Sequence, residues 1–289
     1  MLSPKVIAEI GCNHQGKFEL AEKLILKAKE CGVKYVKFQK RNNKRLLGDR
    51  YNDPHPNPIN SFGQSYGLHR DFLEFDIDQH KKLKKICDEN DMTYSTSVWD
   101  FESALEIIKN INPNLIKIPS ACNLDKKLLD TIFNHFDGQI HISTGMTTKK
   151  EIDKIVEYLN QNYKSKLKKL ILYACTSSYP CKFEELNLLE ISNLQNKYKN
   201  IIGGFGFSGH HLGIAIDIAA FTLGAEFIER HFTLDRTMKG TDHAASLEPE
   251  GLKKLQRDLA ATQLALSNKE MLSEEEILQK EKLKLIKDL

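Results

Sequence analysis

The chain has 289 residues, 40% of them hydrophobic and 28% charged, with a formal net charge of +3. Such a composition is that of an ordinary soluble globular protein. A small net charge with acids and bases interspersed gives no clustered basic face, so no nucleic-acid partner is expected. No apolar run approaches the ~18 residues that span a bilayer, so no membrane partner is expected either. The N-terminus "MLSPKVIAEIG" enters a strand pattern directly, without a basic region, apolar core or cleavage site, which points to the cytoplasm. The six cysteines form no CxxC pair, so neither a zinc ribbon nor a thioredoxin-type motif is indicated. The basic runs "KSKLKKL" and "QKEKLKLIKDL" read as solvated helix ends.

Short β-rich runs then alternate with amphipathic stretches along nearly the whole chain. Strands are predicted at "VIAEIG", "YVKFQK", "TYSTSVW", "LIKIPS", "IHISTGM", "LILYACTS", "GGFGFSGH" and "FIERHFT". Helical patterns fall between them, as in "FELAEKLILKAKECG", "DIDQHKKLKKICDEND", "FESALEIIKNI", "KKEIDKIVEYLNQ" and "IAIDIAAFTLG", and a last helix begins near "EPEGLKKLQRDLAATQLAL". Eight such units predict an α/β fold of one domain over residues 1–289, a (β/α)8 TIM barrel, with a doubly wound open sheet as the alternative. The spacing breaks once. Residues 41–75 join strand 2 to helix 2 through a Pro-, Asn-, Gly- and Arg-rich stretch without an evident helix, either a lid over the barrel mouth or a disordered insertion.

Strand parity predicts which side chains face the lumen. Val36 and Phe38 alternate with Lys37 and Gln39, Ile116 and Ile118 with Lys117, and Phe205 and Phe207 with Ser208 and His210. The apolar set suits the helices, so the polar set points inward, together with Glu9, Ser143, Ser177 and His231. A buried unpaired charge is costly. Several of them converging near C-terminal strand ends is the arrangement of a barrel enzyme's site.

Lys37 and Lys117, with the hydroxyls of Thr96, Ser120, Ser143 and Ser208, suit a small anionic substrate. No GxxxxGK[ST] loop and no strand-linked GxGxxG is present, so a nucleotide is not indicated. His210 and His231 on adjacent strands suit a divalent metal, a general acid/base pair or an imidazolium anion site. His14, His141, His211 and His243 compete for these roles, His211 with the wrong parity for the lumen.

The segments "IAEIGCNHQGKFELAEKLILKAKECGVKYVKFQK", "ISTGMTTKKEI", "CTSSYPCKFEELNL", "GFSGHHLGIAIDIAAFTLGAEFIERHFTLD" and "GTDHAASLEPE" resemble, in that order, the sialic acid synthase family. The resemblance runs from about residue 5 to about residue 265. It implies a barrel that condenses phosphoenolpyruvate with an open-chain aldose, N-acetylmannosamine or a related sugar, giving a nonulosonic acid and phosphate. It also implies that His210 and His231 bind Mn2+ or another divalent ion, Mg2+ or Co2+ included. Lys37, Thr96 and Lys117 match groups around the phosphoenolpyruvate carboxylate, and Ser120, Ser143 and Ser208 match phosphate contacts, with Ser177 a small polar contact. Glu9, Gln39, Tyr179 and Asp242 match positions near the metal or acceptor sugar. The resemblance further implies a homodimer.

Three features depart from the family pattern. Gly209 stands where an acidic residue commonly precedes the first metal histidine, and Cys122 stands where an acidic residue often follows the strand 4 serine. The expected form is a short one, without the C-terminal antifreeze-like domain. Two other readings fit the residues: a 3-deoxy-octulosonate-type synthase with a smaller or phosphorylated acceptor, drawing on Arg41, Arg45, Arg50 and Arg70, and a non-catalytic sugar-binding barrel.

Overall fold

The computed structural model describes residues 3–286. Eight parallel strands close into a barrel in sequence order. They are β1 (Lys5–Glu9), β2 (Tyr35–Lys40), β3 (Thr93–Val98), β4 (Leu115–Ile118), β5 (Gln139–Ser143), β6 (Leu170–Cys175), β7 (Gly204–Gly209) and β8 (Phe227–His231). β8 returns to β1 with Glu9 opposite His231, so closure brings the first and last strand ends together. The open-sheet alternative is thereby replaced by the barrel.

A helix follows each strand. Besides those read from the sequence, Lys126–His135 follows β4 and Glu190–Tyr198 follows β6. Local chemistry sets their starts. Asp76 with Gln79, and Thr148 with Glu151, form reciprocal capping boxes that satisfy otherwise orphaned backbone N–H groups. The helix Lys149–Tyr163 then buries Ile152, Ile155, Val156 and Leu159, the i, i+3, i+4, i+7 stripe that its sequence predicts. Against such stripes lie the outward strand residues, among them Val36, Phe38, Ile116, Ile140, Phe207 and Ile228, all buried.

The stretch 41–75 is ordered and partly helical, which corrects the reading of a segment without helix. It contains the helices Asn43–Leu47 and Tyr66–Leu73, each capped by a side chain that accepts a backbone N–H, Asn42 from Arg45 and Ser65 from Leu68. Asn43 Nδ2 bonds Asp71 Oδ1 at 2.9 Å and ties the two helices together. Gly16, at φ +70°, supports the segment from the barrel side: a Cβ there would stand 2.2 Å from the Phe72 carbonyl oxygen. The segment therefore forms one wall of the barrel mouth.

Candidate active site

The inward faces divide by height. Low in the lumen Ile7, Ile171, Tyr173 and Phe227 form an apolar plug with Tyr35 packed against it. Above it the same strands present charge. Lys117 Nζ lies 2.7 Å from Glu229 Oε1, and Lys37 Nζ lies 2.5 Å from Glu9 Oε2 and 3.7 Å from Glu229 Oε1. Ser208 donates to Glu229 at 3.1 Å, Lys37 to Ser97 Oγ at 2.7 Å, and Gln39 Nε2 to Glu9 Oε1 at 2.7 Å. All four ionised side chains are at most 5% exposed.

Burial alone would raise the Glu229 carboxyl, but Lys117 and Lys37 outweigh it and hold the group below the ordinary carboxylate range. Burial likewise works against the Lys37 ammonium, and Glu229 with Glu9 more than restores it, raising its value. For Lys117 burial dominates and lowers it against the pull of Glu229. Two cations are thus matched by two anions. Glu229 Oε2 and Ser143 Oγ remain buried without a hydrogen-bond partner.

The two histidines sit at the upper rim, ring centroids 5.5 Å apart. His210 Nδ1 is 2.8 Å from the Thr176 carbonyl, which can only accept, so Nδ1 carries the proton and Nε2 keeps its lone pair. Burial first, and the neighbouring His231 second, lower its pKa to about 3, so the ring is neutral with a lone pair at Nε2. His231 Nδ1 is buried without a hydrogen bond, 3.8 Å from Asp242 Oδ2. Tyr179 lies over His210 with centroids 4.1 Å apart.

The backs of both histidine positions are joined outside the lumen. Arg230 donates to the His211 carbonyl at 2.6 Å and the Gly213 carbonyl at 2.8 Å, and pairs with Asp217. The residues next in chain to His210 and His231 thus hold each other, and that fixes the separation of the two rings.

One lumen cavity of about 90 Å³ brings together Glu9, Lys37, Gln39, Lys117, Ser120, Ser143, Ser177, Tyr179, Ser208, His210 and His231. Asp242 lines a larger chamber directly above, which shares Gln39, Trp99, Tyr179 and His231 with the cavity. Thr96 is not in the lumen. Tyr94 and Val98 set the outward face of β3, so Thr96 faces the helices, where its hydroxyl reaches the Ser97 carbonyl at 3.3 Å. Ser97 takes the lumen place instead. Sequence reasoning missed Ser97 and Glu229; the latter was readable from parity, two residues before His231 on one strand.

The competing histidines have other duties. His14 stacks on Phe75 at 4.0 Å, His141 bonds the Tyr173 hydroxyl at 2.8 Å below the charges, and His243 bonds Thr233 Oγ1 at 2.7 Å. His211 lies outside with Arg230, as its parity predicts. The two departures also resolve by position. A Cβ at Gly209 would meet Phe207 at 2.8 Å and His211 at 2.9 Å, so a carboxylate there would face the helices rather than the lumen. Cys122 is buried outside the lumen cavity, and burial pushes its thiol up to about 12, which removes it from proton transfer near neutrality.

No helix among the described residues is long and apolar enough to cross a membrane. Among the same residues no group of three or more His, Cys, Asp or Glu side chains is arranged to hold a metal. Any ion here would rest on two imidazoles and take its other positions from water or substrate.

Comparison with known proteins gives a consistent family. The human N-acetylneuraminate-9-phosphate synthase is 38% identical over 271 residues, which cover 91% of this chain and 71% of that protein. The N,N'-diacetyllegionaminic acid synthase of Campylobacter jejuni is 34% identical over 264 residues, covering 91% and 77%. Among solved structures, the N-acetylneuraminic acid synthetase of Leptospira borgpetersenii superposes with a TM-score of 0.80 at 27% identity, covering 98% of this chain and 93% of that one. The model of the NeuB family matches residues 24–271. A closed barrel with this lumen and these relatives makes the chain a member of the NeuB family.

Proposed function

We propose that this enzyme condenses phosphoenolpyruvate with an open-chain amino sugar to give a nonulosonic acid and phosphate. The observation that carries the reading is the pair of buried lysines facing His210 and His231 across one cavity rimmed by hydroxyls. Lys37 and Lys117 hold the phosphoenolpyruvate carboxylate, and Ser120, Ser143, Ser177 and Ser208 bind its phosphate. Held there, C3 attacks the aldehyde carbon of the acceptor and forms the new C–C bond. Water adds at C2, and the tetrahedral centre collapses by breaking its C2–O bond, which releases phosphate. Positioning supplies much of the rate, because two reactants become one assembled unit.

The lumen charges balance before substrate enters, Lys37 and Lys117 against Glu9 and Glu229. Phosphoenolpyruvate brings about three negative charges, one from its carboxylate and roughly two from its phosphate. That excess supports a divalent ion at His210 and His231, Mn2+ on the family resemblance. Such an ion would supply Lewis acidity toward the aldehyde oxygen. Glu9, Gln39, Tyr179 and Asp242 surround the place where the acceptor would lie.

Phosphate release from phosphoenolpyruvate across a panel of aldoses tests the reaction. Release that depends on an amino sugar, stops on exhaustive chelation and returns with Mn2+ is expected. Release unaffected by chelation would remove the metal. Failure of every aldose to trigger release would favour the non-catalytic sugar-binding barrel. The names of the relatives divide between a 9-phosphate product and unphosphorylated ones, so they leave open whether this acceptor carries phosphate.

A further inference from the structure

The chamber above the lumen has a volume of about 430 Å³ and two walls. Gln39, Tyr179, His231 and Asp242 belong to the barrel, and the segment 41–75 brings Arg41, His55, Tyr66 and Arg70 from the other side. Trp99 lines both this chamber and the lumen cavity beneath it. It is the only tryptophan of the chain.

Arg41 stands behind two of the lining residues. Its guanidinium lies 4.3 Å from the centre of the Trp99 ring. Its Nη1 is 3.5 Å from Cys12 Sγ, and that thiol reaches Gln39 Oε1 at 3.9 Å. Arg41 is itself fixed by Glu74, from the far end of the segment. Glu74 Oε1 accepts the Arg41 backbone N–H at 2.8 Å, and Oε2 faces Arg41 Nη1 at 3.8 Å. No other carboxylate lies within 4.0 Å of Arg41 among the described residues. Lys40 also faces Glu74 at 3.6 Å, but it has Glu106 at the same distance. Loss of the Glu74 charge therefore leaves Lys40 paired and Arg41, 6% exposed, alone. A buried unpaired guanidinium is costly. Asp242, the one carboxylate in the chamber lining, is what remains to attract it.

We propose that Glu74 is a positioning residue for the acceptor: it clasps the two ends of the segment 41–75 and holds Arg41 against Trp99, away from Asp242. The proposal rests on the condensation only for the identity of the chamber's occupant. Phosphoenolpyruvate, with its proposed contacts down in the lumen, lies beyond the reach of the clasp. The segment is then a wall with a fixed stem, formed before the sugar arrives.

Glu74→Gln tests this, because it keeps an acceptor for the Arg41 N–H and removes the charge. Burial raises the Glu74 carboxyl more than Arg41 and Lys40 lower it, so a neutral amide of the same shape suits the position and the variant should fold. The fluorescence of Trp99 reads the clasp without any substrate. Uncovered by Arg41, the ring should be quenched more strongly by acrylamide in Glu74→Gln, as in Arg41→Met. In steady-state kinetics the acceptor KM of Glu74→Gln should rise about tenfold, the scale of one lost hydrogen bond or charge contact, with kcat and the phosphoenolpyruvate Kd near the parent's. Since Glu74 acts through Arg41, Glu74→Gln combined with Arg41→Met should have the acceptor KM of Arg41→Met alone. Glu74→Asp, which keeps the charge on a shorter side chain, should show part of both effects and serves as the second variant if Glu74→Gln melts early. Parental quenching of Trp99 in the folded variants, an unchanged acceptor KM, or effects of Glu74→Gln and Arg41→Met that simply add would each overturn the proposal. If no aldose triggers phosphoenolpyruvate consumption, the condensation fails instead, and the quenching of Trp99 decides whether Glu74 holds Arg41.

Discussion

The lower and upper halves of the lumen are built on the same eight strands and do opposite things. Below, Ile7, Ile171, Tyr173 and Phe227 fill the barrel with apolar volume. Above, two residues further along β1 and β8, Glu9 and Glu229 sit among ammonium groups. On β1 and β8 the inward face thus steps from stability to chemistry within one strand repeat. The lower plug excludes water from beneath, and the low dielectric this creates strengthens each charge contact above it.

The sharpest test of that division is a substitution on each side. Phe227→Ala empties a ring that is 1% exposed from the plug and should cost about 3–5 kcal/mol of stability. Lys117→Met removes one ammonium from the upper half, while Glu229 retains Lys37 at 3.7 Å and Ser208 at 3.1 Å. It should melt closer to the parent than Phe227→Ala does, yet bind phosphoenolpyruvate roughly 100-fold more weakly, as expected when a charged hydrogen bond to the ligand is removed. Thermal melts and phosphoenolpyruvate titrations of both variants decide the matter. A Lys117→Met protein with parental phosphoenolpyruvate affinity would break the assignment of the upper half.

The boundary between the halves is marked by a titratable group. His141 lies at 0% exposure with its Nδ1 on the Tyr173 hydroxyl, and burial, then Lys117, lower its pKa from 6.5 to about 3. Burial does the same to His14 and His80, each to about 3. The folded values lie below the unfolded one, so the unfolded chain takes up protons first as pH falls. Stability is therefore full above pH 6.5 and is lost between 6.5 and about 3, by roughly 1.4 kcal/mol per pH unit for each such histidine. Urea unfolding between pH 7.5 and 5 should show the loss, and His141→Gln should flatten the slope by about one histidine's share. An unchanged slope would mean that His141 is already protonated in the folded lumen.

Much of this was legible in the sequence because a strand's period of two is unambiguous when one face is aliphatic. Val36 and Phe38 oriented Lys37, and Ile116 and Ile118 oriented Lys117, both as found. The same rule applied to Tyr94 and Val98 selects Ser97 over Thr96, and applied to His231 it selects Glu229, so both lumen residues were legible in the strand pattern. The segment 41–75 was less legible for a physical reason. Its helices Asn43–Leu47 and Tyr66–Leu73 are too short to be stable or periodic alone. They exist through caps and contacts such as Asn43 to Asp71 and the close seat of Gly67 on Tyr51, where a Cβ would stand 2.3 Å from the ring. Such contacts join residues about 16 to 28 apart, beyond the reach of any local pattern.

The smallest expected effect lies at the mouth of the upper half. Gly145 follows β5, and a Cβ there would come within 2.4 Å of Ser177 Oγ, 2.8 Å of Ser120 Oγ and 3.3 Å of Cys175 Sγ. These are ends of side chains rather than backbone, so Gly145→Ala can be accommodated by rotating two hydroxyls aside. The plug beneath is untouched, and the melting temperature should stay close to the parent's. The displaced hydroxyls, however, are two of the four proposed to bind the phosphoenolpyruvate phosphate. Removing a hydrogen bond that serves the ground state and the transition state equally raises KM with little change in kcat. We therefore expect KM for phosphoenolpyruvate to rise about tenfold, the worth of one ordinary hydrogen bond, with kcat nearly constant. Steady-state kinetics at saturating acceptor measure both. An unchanged KM in a folded Gly145→Ala protein would take Ser120 and Ser177 out of the phosphate site and leave Ser143 and Ser208, deeper in the lumen, to bind it.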